Sequence, residues 1–148
     1  MKVFLDTNIF IEYIEERKQV EAVDRILKAI ADGEHDGVIS QGAFYTLAFL
    51  LEKALKRKGI QKPLQTEQLR GLLSDVLSTA VVVGVSHEHL EDAVGDKSFT
   101  DFEDSFQYQC ALENNCDALV TINMKDYRKA DQTKLTILTP TSFVEKYL

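Results

Sequence analysis

Short runs of consecutive apolar residues alternate along this chain with longer stretches in which apolar residues return every three or four positions. The first pattern reads as buried parallel strands, the second as helices packed against them. Val3-Phe4-Leu5 predicts a first strand that runs straight into Asp6-Thr7-Asn8 and a helix to about Arg17. Val20, Val23, Ile26, Leu27, Ile30 and Ala31 form a helical stripe stopped by Gly33, because glycine readily takes the left-handed conformation that ends helices. Gly37 to Ser40 reads as the second strand and Gln41 to about Lys58 as a long helix. Gly59 to Pro63 breaks the pattern, and Thr66 to Thr79 restores it.

Ala80 to Val83 is wholly apolar and reads as an interior third strand. Ser86 can cap a short helix over His87 to Val94. Thr100-Asp101-Phe102-Glu103 has the form of a capping box, Thr100 meeting the first free amides and Glu103 reaching back. The helix it opens runs to about Asn115. Ala118 to Thr121 and Leu135 to Leu138 are the fourth and fifth strands, and Thr139-Pro140 starts a last helix with proline at its favoured first position. The alternation predicts an α/β fold, three layers deep, with a five-stranded parallel sheet in one domain over 1–148.

Ligands of such sheets bind beyond the carboxyl ends of the strands, where the strand order reverses. Asp6 stands at that edge, directly after strand one. Asp101 and Asp104 share the first turn of the helix before strand four, three residues apart and so on neighbouring positions of one face. Thr121, Asn123 and Asp126 follow strand four. Three segments thus bring carboxylates and amide oxygens toward one place. Mg²⁺ suits such a set, because it takes oxygen ligands, keeps several waters and needs only one or two carboxylates. Without a cation, two carboxylates about 4 Å apart repel by roughly 4 kcal/mol at an effective dielectric near 20. Each residue also has a structural reading of its own. Asp6 can be a helix N-cap, Asp101 can complement a helix dipole, and Asn123 and Asp126 are common turn residues.

Composition narrows the class. The chain has 148 residues, 45% of them apolar and 28% charged, as in ordinary globular domains. No apolar run nears the ~20 residues of a membrane span, and the first residues lack the features of a signal peptide. Cys110 and Cys116 are the only cysteines, without metal-ligand spacing, so a reduced cytoplasmic setting is expected. His87 and His89 have no third ligand at zinc spacing, and there is no Gly-rich phosphate loop. The formal charge of −7 argues against nucleic acid unless many acids are gathered at a metal site, where a cation neutralises them.

These residues, in this order, resemble the PIN domain, the fold of VapC-type toxins and related metal-dependent ribonucleases. The resemblance rests on Val3-Phe4-Leu5-Asp6-Thr7-Asn8, on Val38-Ile39-Ser40 before the long helix, and on Asp101-Phe102-Glu103-Asp104-Ser105. It continues through Asp117 to Tyr127 and ends on Thr139-Pro140-Thr141-Ser142-Phe143-Val144. It implies that Asp6 and Asp104 hold Mg²⁺ or Mn²⁺ for hydrolysis of RNA, with Asp101 or Asp126 as a further ligand and Asn123 positioning the water. Thr7 and Thr121 would donate to ligating oxygens. Lys125, Arg128 and Lys129 lie beside the site, able to meet phosphates but also readable as solvated surface. It also implies a small antitoxin partner and a homodimer.

The chain departs from the family at the glutamate of the helix after strand two, where Thr46 stands. Glu52 lies about 240° further round that helix and cannot replace it. The alternative is therefore a PIN-fold binding module of weak or no activity. A phosphoacceptor signalling domain also gathers acids at strand ends. That class has adjacent acids after strand one and an Asp ending strand three, and here strand three ends in Val83-Gly84.

Overall fold

Strands β1 (Lys2–Leu5), β2 (Asp36–Ser40), β3 (Val81–Val83), β4 (Ala118–Val120) and β5 (Thr136–Leu138) form one sheet in the computed structural model, which describes residues 1–148. All four pairings are parallel, in the order β3-β2-β1-β4-β5. Helices α1 (Thr7–Ile14), α2 (Val20–Ala31), α3 (Gln41–Arg57), α4 (Leu64–Thr79), α5 (His87–Gly95), α6 (Phe102–Glu113) and α7 (Pro140–Tyr147) connect and cover them. The expected parallel α/β fold with five strands is the one observed.

Alternate residues of each strand serve opposite faces. Val3 and Leu5 of β1 join Ile9, Val23, Ile26, Leu47, Leu51 and Phe143 in a core on one face. Phe4, between them, joins Val38, Leu119, Tyr108, Ala111 and Tyr127 on the other. Each fully buried aliphatic or aromatic side chain of these two cores contributes about 1.5–3 kcal/mol. Gly33, with φ +79°, ends α2 as its sequence position predicts. Gly37 answers a different demand: a Cβ there would meet Ile30 Cγ2 at 3.0 Å and the Thr79 carbonyl at 3.1 Å. Only glycine lets α2 and the end of α4 come so close to β2.

Three expectations change. The wholly apolar β3 is an edge strand, and Val81 is 67% exposed. The apolar run reflects valine's fit to a pleated surface, and periodicity alone does not tell an edge from an interior. Helix α1 stops at Ile14 rather than about Arg17, with Glu16 in a left-handed conformation at φ 49°. The supposed turn after Asn123 is a one-turn 3-10 helix, Met124–Tyr127.

The sheet order places the switch point between β1 and β4. The chain leaves β1 toward β2 and β3 on one side, then returns to β4 and β5 on the other. The crevice at their carboxyl ends is where Asp6 and Thr121 emerge.

Candidate active site

The β1–β4 register pairs Phe4 with Leu119 and Leu5 with Val120. One residue further, Asp6 N donates to the Val120 carbonyl at 3.1 Å, so Asp6 and Thr121 leave the sheet side by side. Thr121 Oγ1 donates to Asp6 Oδ2 at 2.7 Å, and Gln107 Nε2 from α6 donates to Asp6 Oδ1 at 2.6 Å. Asp6 is 1% exposed. Although it stands in the N-cap position of α1, its side chain makes no capping bond there. It is held as an acceptor facing the crevice instead. Its pKa is raised because burial disfavours the charge, and the hydrogen bonds from Thr121 and Gln107 offset that only in part.

Asp104 approaches from α6. It is 7% exposed, and the Tyr127 hydroxyl donates to its Oδ1 at 3.3 Å. Burial, with the nearby charges of Asp6, Asp101 and Asp126, pushes its carboxyl up to about 7. Charges that emerge after β1, at the start of α6 and after β4 thus all act on Asp104. None of Asp6, Asp101, Glu103, Asp104 and Asp126 takes part in an ion pair with a lysine, arginine or histidine of the chain. The cluster is negative and internally uncompensated. No three acidic, histidine or cysteine side chains converge tightly enough to cage an ion by themselves. The donor set fits Mg²⁺ or Mn²⁺ in a more open way: two buried carboxylates can supply ligands while waters fill the remaining positions.

A model of the PIN domain family matches residues 2–125. The chain belongs to the PIN domain family. It is 27% identical to Ribonuclease VapC1 of Aquifex aeolicus (strain VF5) over 155 aligned positions, which span 99% of this chain and 95% of that protein. Among solved structures it resembles VapBC2 from Rickettsia felis bound to a DNA fragment from their promoter. That match has a TM-score of 0.69 at 20% identity, covering 94% of this chain and 98% of the other. FitAB bound to the IR36 DNA fragment is also similar, with TM-score 0.62, 16% identity and coverage of 93% and 94%.

Within this PIN domain the start of α6 differs from its sequence reading. Asp101, not Thr100, is the N-cap: its Oδ1 accepts from the amides of Glu103 at 2.9 Å and Asp104 at 3.3 Å. Thr100 and Glu103 do not form the expected box. Glu103 reaches across the crevice instead, its Oε1 accepting from Thr7 Oγ1 at 3.2 Å. Its pKa is raised by partial burial and by the charges of Asp6 and Asp101. Glu103 therefore adds a carboxylate to the cluster that the sequence assigned to a local cap. A box and a tertiary hydrogen bond leave the same trace in sequence.

Thr121 donates to Asp6 as expected, whereas Thr7 donates to Glu103. Asn123 contributes its backbone: its amide donates to Thr121 Oγ1 at 3.0 Å, which aims that hydroxyl at Asp6, and its side chain makes no cap. Gln107 and Tyr127 were not legible as site residues. Gln107 is 2% exposed and also lies 3.4 Å from Thr7 Oγ1, while its Oε1 is buried without a partner. Helical spacing from Asp104 to Gln107 was the available signal.

Thr46 is half-buried in the second turn of α3, beside the core stripe Ala43–Leu47–Leu51–Leu55. Phe44 lies on one flank of that stripe and lines an apolar groove with Leu69, Leu73 and Leu77 of α4. Thr46 lies on the opposite flank. Glu52 is engaged with Lys56 at 3.3 Å.

Proposed function

We propose that this PIN domain is a divalent-metal-dependent endoribonuclease, the toxin of a toxin–antitoxin pair. One observation carries the reading: two buried carboxylates, Asp6 and Asp104, share a crevice at the strand-order switch with no cation of the chain to balance them. Burying like charges together is unfavourable unless a cation joins them or one carboxylate is protonated. The likeness to a protein named Ribonuclease VapC1 supports the choice of reaction.

In this reading Asp6 and Asp104 hold Mg²⁺ or Mn²⁺, with Asp126 at the outer edge of the cluster. Asp101 is largely committed to its cap, which leaves its second oxygen as an outer acceptor. A bound divalent ion lowers the pKa of a water and polarises the phosphate it meets. The protein's part is positional. Thr121 and Gln107 fix the Asp6 carboxylate, Tyr127 fixes Asp104, and Asn123 orients Thr121. The side-chain amide of Asn123 remains free to hold the attacking water or a phosphate oxygen. The test is degradation of single-stranded RNA that requires added Mn²⁺ or Mg²⁺ and stops with EDTA.

A small antitoxin is the proposed partner. The apolar groove between α3 and α4, where Leu77 is 53% exposed, supports a protein contact, as do Tyr45 and Phe49, exposed by 64% and 60% elsewhere on α3. The likeness to VapBC2 and FitAB supports a partner of that kind. A homodimer and a cytoplasmic setting belong to the same proposal. No helix is long and apolar enough to cross a membrane.

Thr46 separates an active enzyme from a weak one. Thr46→Glu is expected to add a carboxylate to the cluster, tightening Mn²⁺ binding and raising cleavage. Apo stability should fall at the same time, because the new charge joins an uncompensated cluster. Calorimetry with Mn²⁺ on both proteins checks this. Unchanged affinity would mean that position 46 does not reach the ion, and that the binding-module alternative gains weight.

A further inference from the structure

The chain has 17 basic residues against 24 acidic ones, yet Lys97, Lys125, Arg128 and Lys129 gather in one shallow hollow without an apolar side chain. Two separate segments build it. Lys97 and Thr100 come from the loop that leads into α6, and the other three cations from the 3-10 turn and the residues after it. These are the segments that deliver Asp104 and Asp126 to the acid cluster, and Asp126 lines the hollow itself. The hollow therefore opens directly beside the candidate active site.

None of its four cations forms an ion pair. Among the other lysines only Lys28 and Lys56 pair, with Asp24 and Glu52, so what sets these four cations apart is their gathering in one hollow. Free cations concentrated at one place on an acidic molecule create a local positive field that the net charge hides. An acid cluster repels a polyanion, so cutting one requires cations close by to hold the neighbouring phosphates.

We propose that this hollow is a subsite for the phosphodiester backbone of single-stranded RNA, seating phosphates next to the one at the acid cluster. Arg128 offers a planar fork to two phosphate oxygens, the lysines offer mobile point charges, and the Thr100 hydroxyl is a further donor. These contacts fix register and carry no base information. The choice of RNA rests on the nuclease reading. The presence of an anion subsite does not.

Binding of a labelled single-stranded RNA, measured in EDTA over a range of salt concentrations, tests this without cleavage. Each lost phosphate contact should reduce the slope of log affinity against log salt by about 0.7. The double variant Lys97→Gln/Lys129→Gln should thus lose about 1.4 of the slope and bind several-fold more weakly at low salt, with an unchanged melting temperature. Lys28→Gln should change neither. A wild-type slope in the double variant, or no RNA retained by the wild type at low salt, overturns the proposal. Single-stranded DNA of the same sequence runs in parallel, and tighter retention of DNA would overturn the assignment to RNA. A poly-glutamate peptide lost by the double variant while RNA binding is unchanged would give the hollow to an acidic protein segment. If the wild type binds RNA with the expected slope but never cleaves it with metal, the nuclease reading fails and the subsite stands.

Discussion

Asp6→Asn is expected to abolish metal-dependent RNA cleavage while leaving the fold intact. The substitution is nearly isosteric, and both oxygens of Asp6 are already engaged inside the protein, by Thr121 and Gln107. An asparagine can keep the Thr121 bond through its oxygen. Its new amide then faces Gln107, whose buried Oε1 has no other partner and can accept after the Gln107 amide turns over. Packing and hydrogen bonding therefore survive. What disappears is the charge. Loss of an outer partner of a metal ligand costs about 10–100-fold, so loss of the ligand charge itself should lower cleavage by at least about 100-fold. The checks are RNA degradation with Mn²⁺ and the circular dichroism spectrum of the same preparation. Wild-type activity in the variant would place the chemistry elsewhere.

Asp104→Asn should have the largest effect on stability, and in the opposite direction from most core substitutions. The folded carboxyl is pushed up to about 7, against 3.8 for the ordinary group. An acid whose pKa is raised by folding holds its proton in the native state where the unfolded chain has already lost it. Stability is then highest below about pH 4, falls as pH rises through the interval, and is lowest above pH 7. The penalty at neutral pH is at most about 4 kcal/mol. Asparagine removes the charge and keeps an acceptor for the Tyr127 hydroxyl. The metal-free variant should therefore melt higher than wild type at pH 7.5, by several degrees at about 2–4 °C per kcal/mol for a chain of this length. The difference should shrink toward pH 5. A lower melting temperature for the variant at pH 7.5 would show that Asp104 is not repelled by its neighbours.

Much of this was legible in the residue pattern. Apolar runs located the strands and apolar periodicity the longer helices, because in a parallel α/β fold each element buries a face with its own spacing. Cap residues located α5, α6 and α7, while the 3-10 helix Met124–Tyr127 reads in sequence as a turn. The rule that sites form at the carboxyl edge pointed to Asp6, Thr121, Asn123 and Asp126 as candidates, and helical spacing pointed to Asp101 and Asp104. The structure gathers carboxylates from these segments, while Asn123 is seen to contribute its backbone amide. Lateral order was not legible. Nothing in Val81-Val82-Val83 says whether a second neighbour covers it, since that depends on where β2 and β1 lie. The long-range hydrogen bonds of the site were equally silent. Gln107 and Asp6 stand 101 residues apart, and Thr7 and Glu103 stand 96 apart. Only the β1–β4 register brings α6 over the end of β1. Glu103 shows the cost: its local spacing fits a capping box, and the tertiary partner won.

The melting temperature of the metal-free wild type at low salt and pH 7.5, with and without millimolar Mn²⁺, tests most directly whether the carboxylates of Asp6 and Asp104 form a cation site. An ion that binds only the folded state at 100 times its Kd stabilises by about 2.7 kcal/mol, which for this chain length is a rise of roughly 5–10 °C. That rise is the expected result, and Asp104→Asn should abolish most of it. A wild-type melting curve that neither Mn²⁺ nor Mg²⁺ moves would contradict a cation site there.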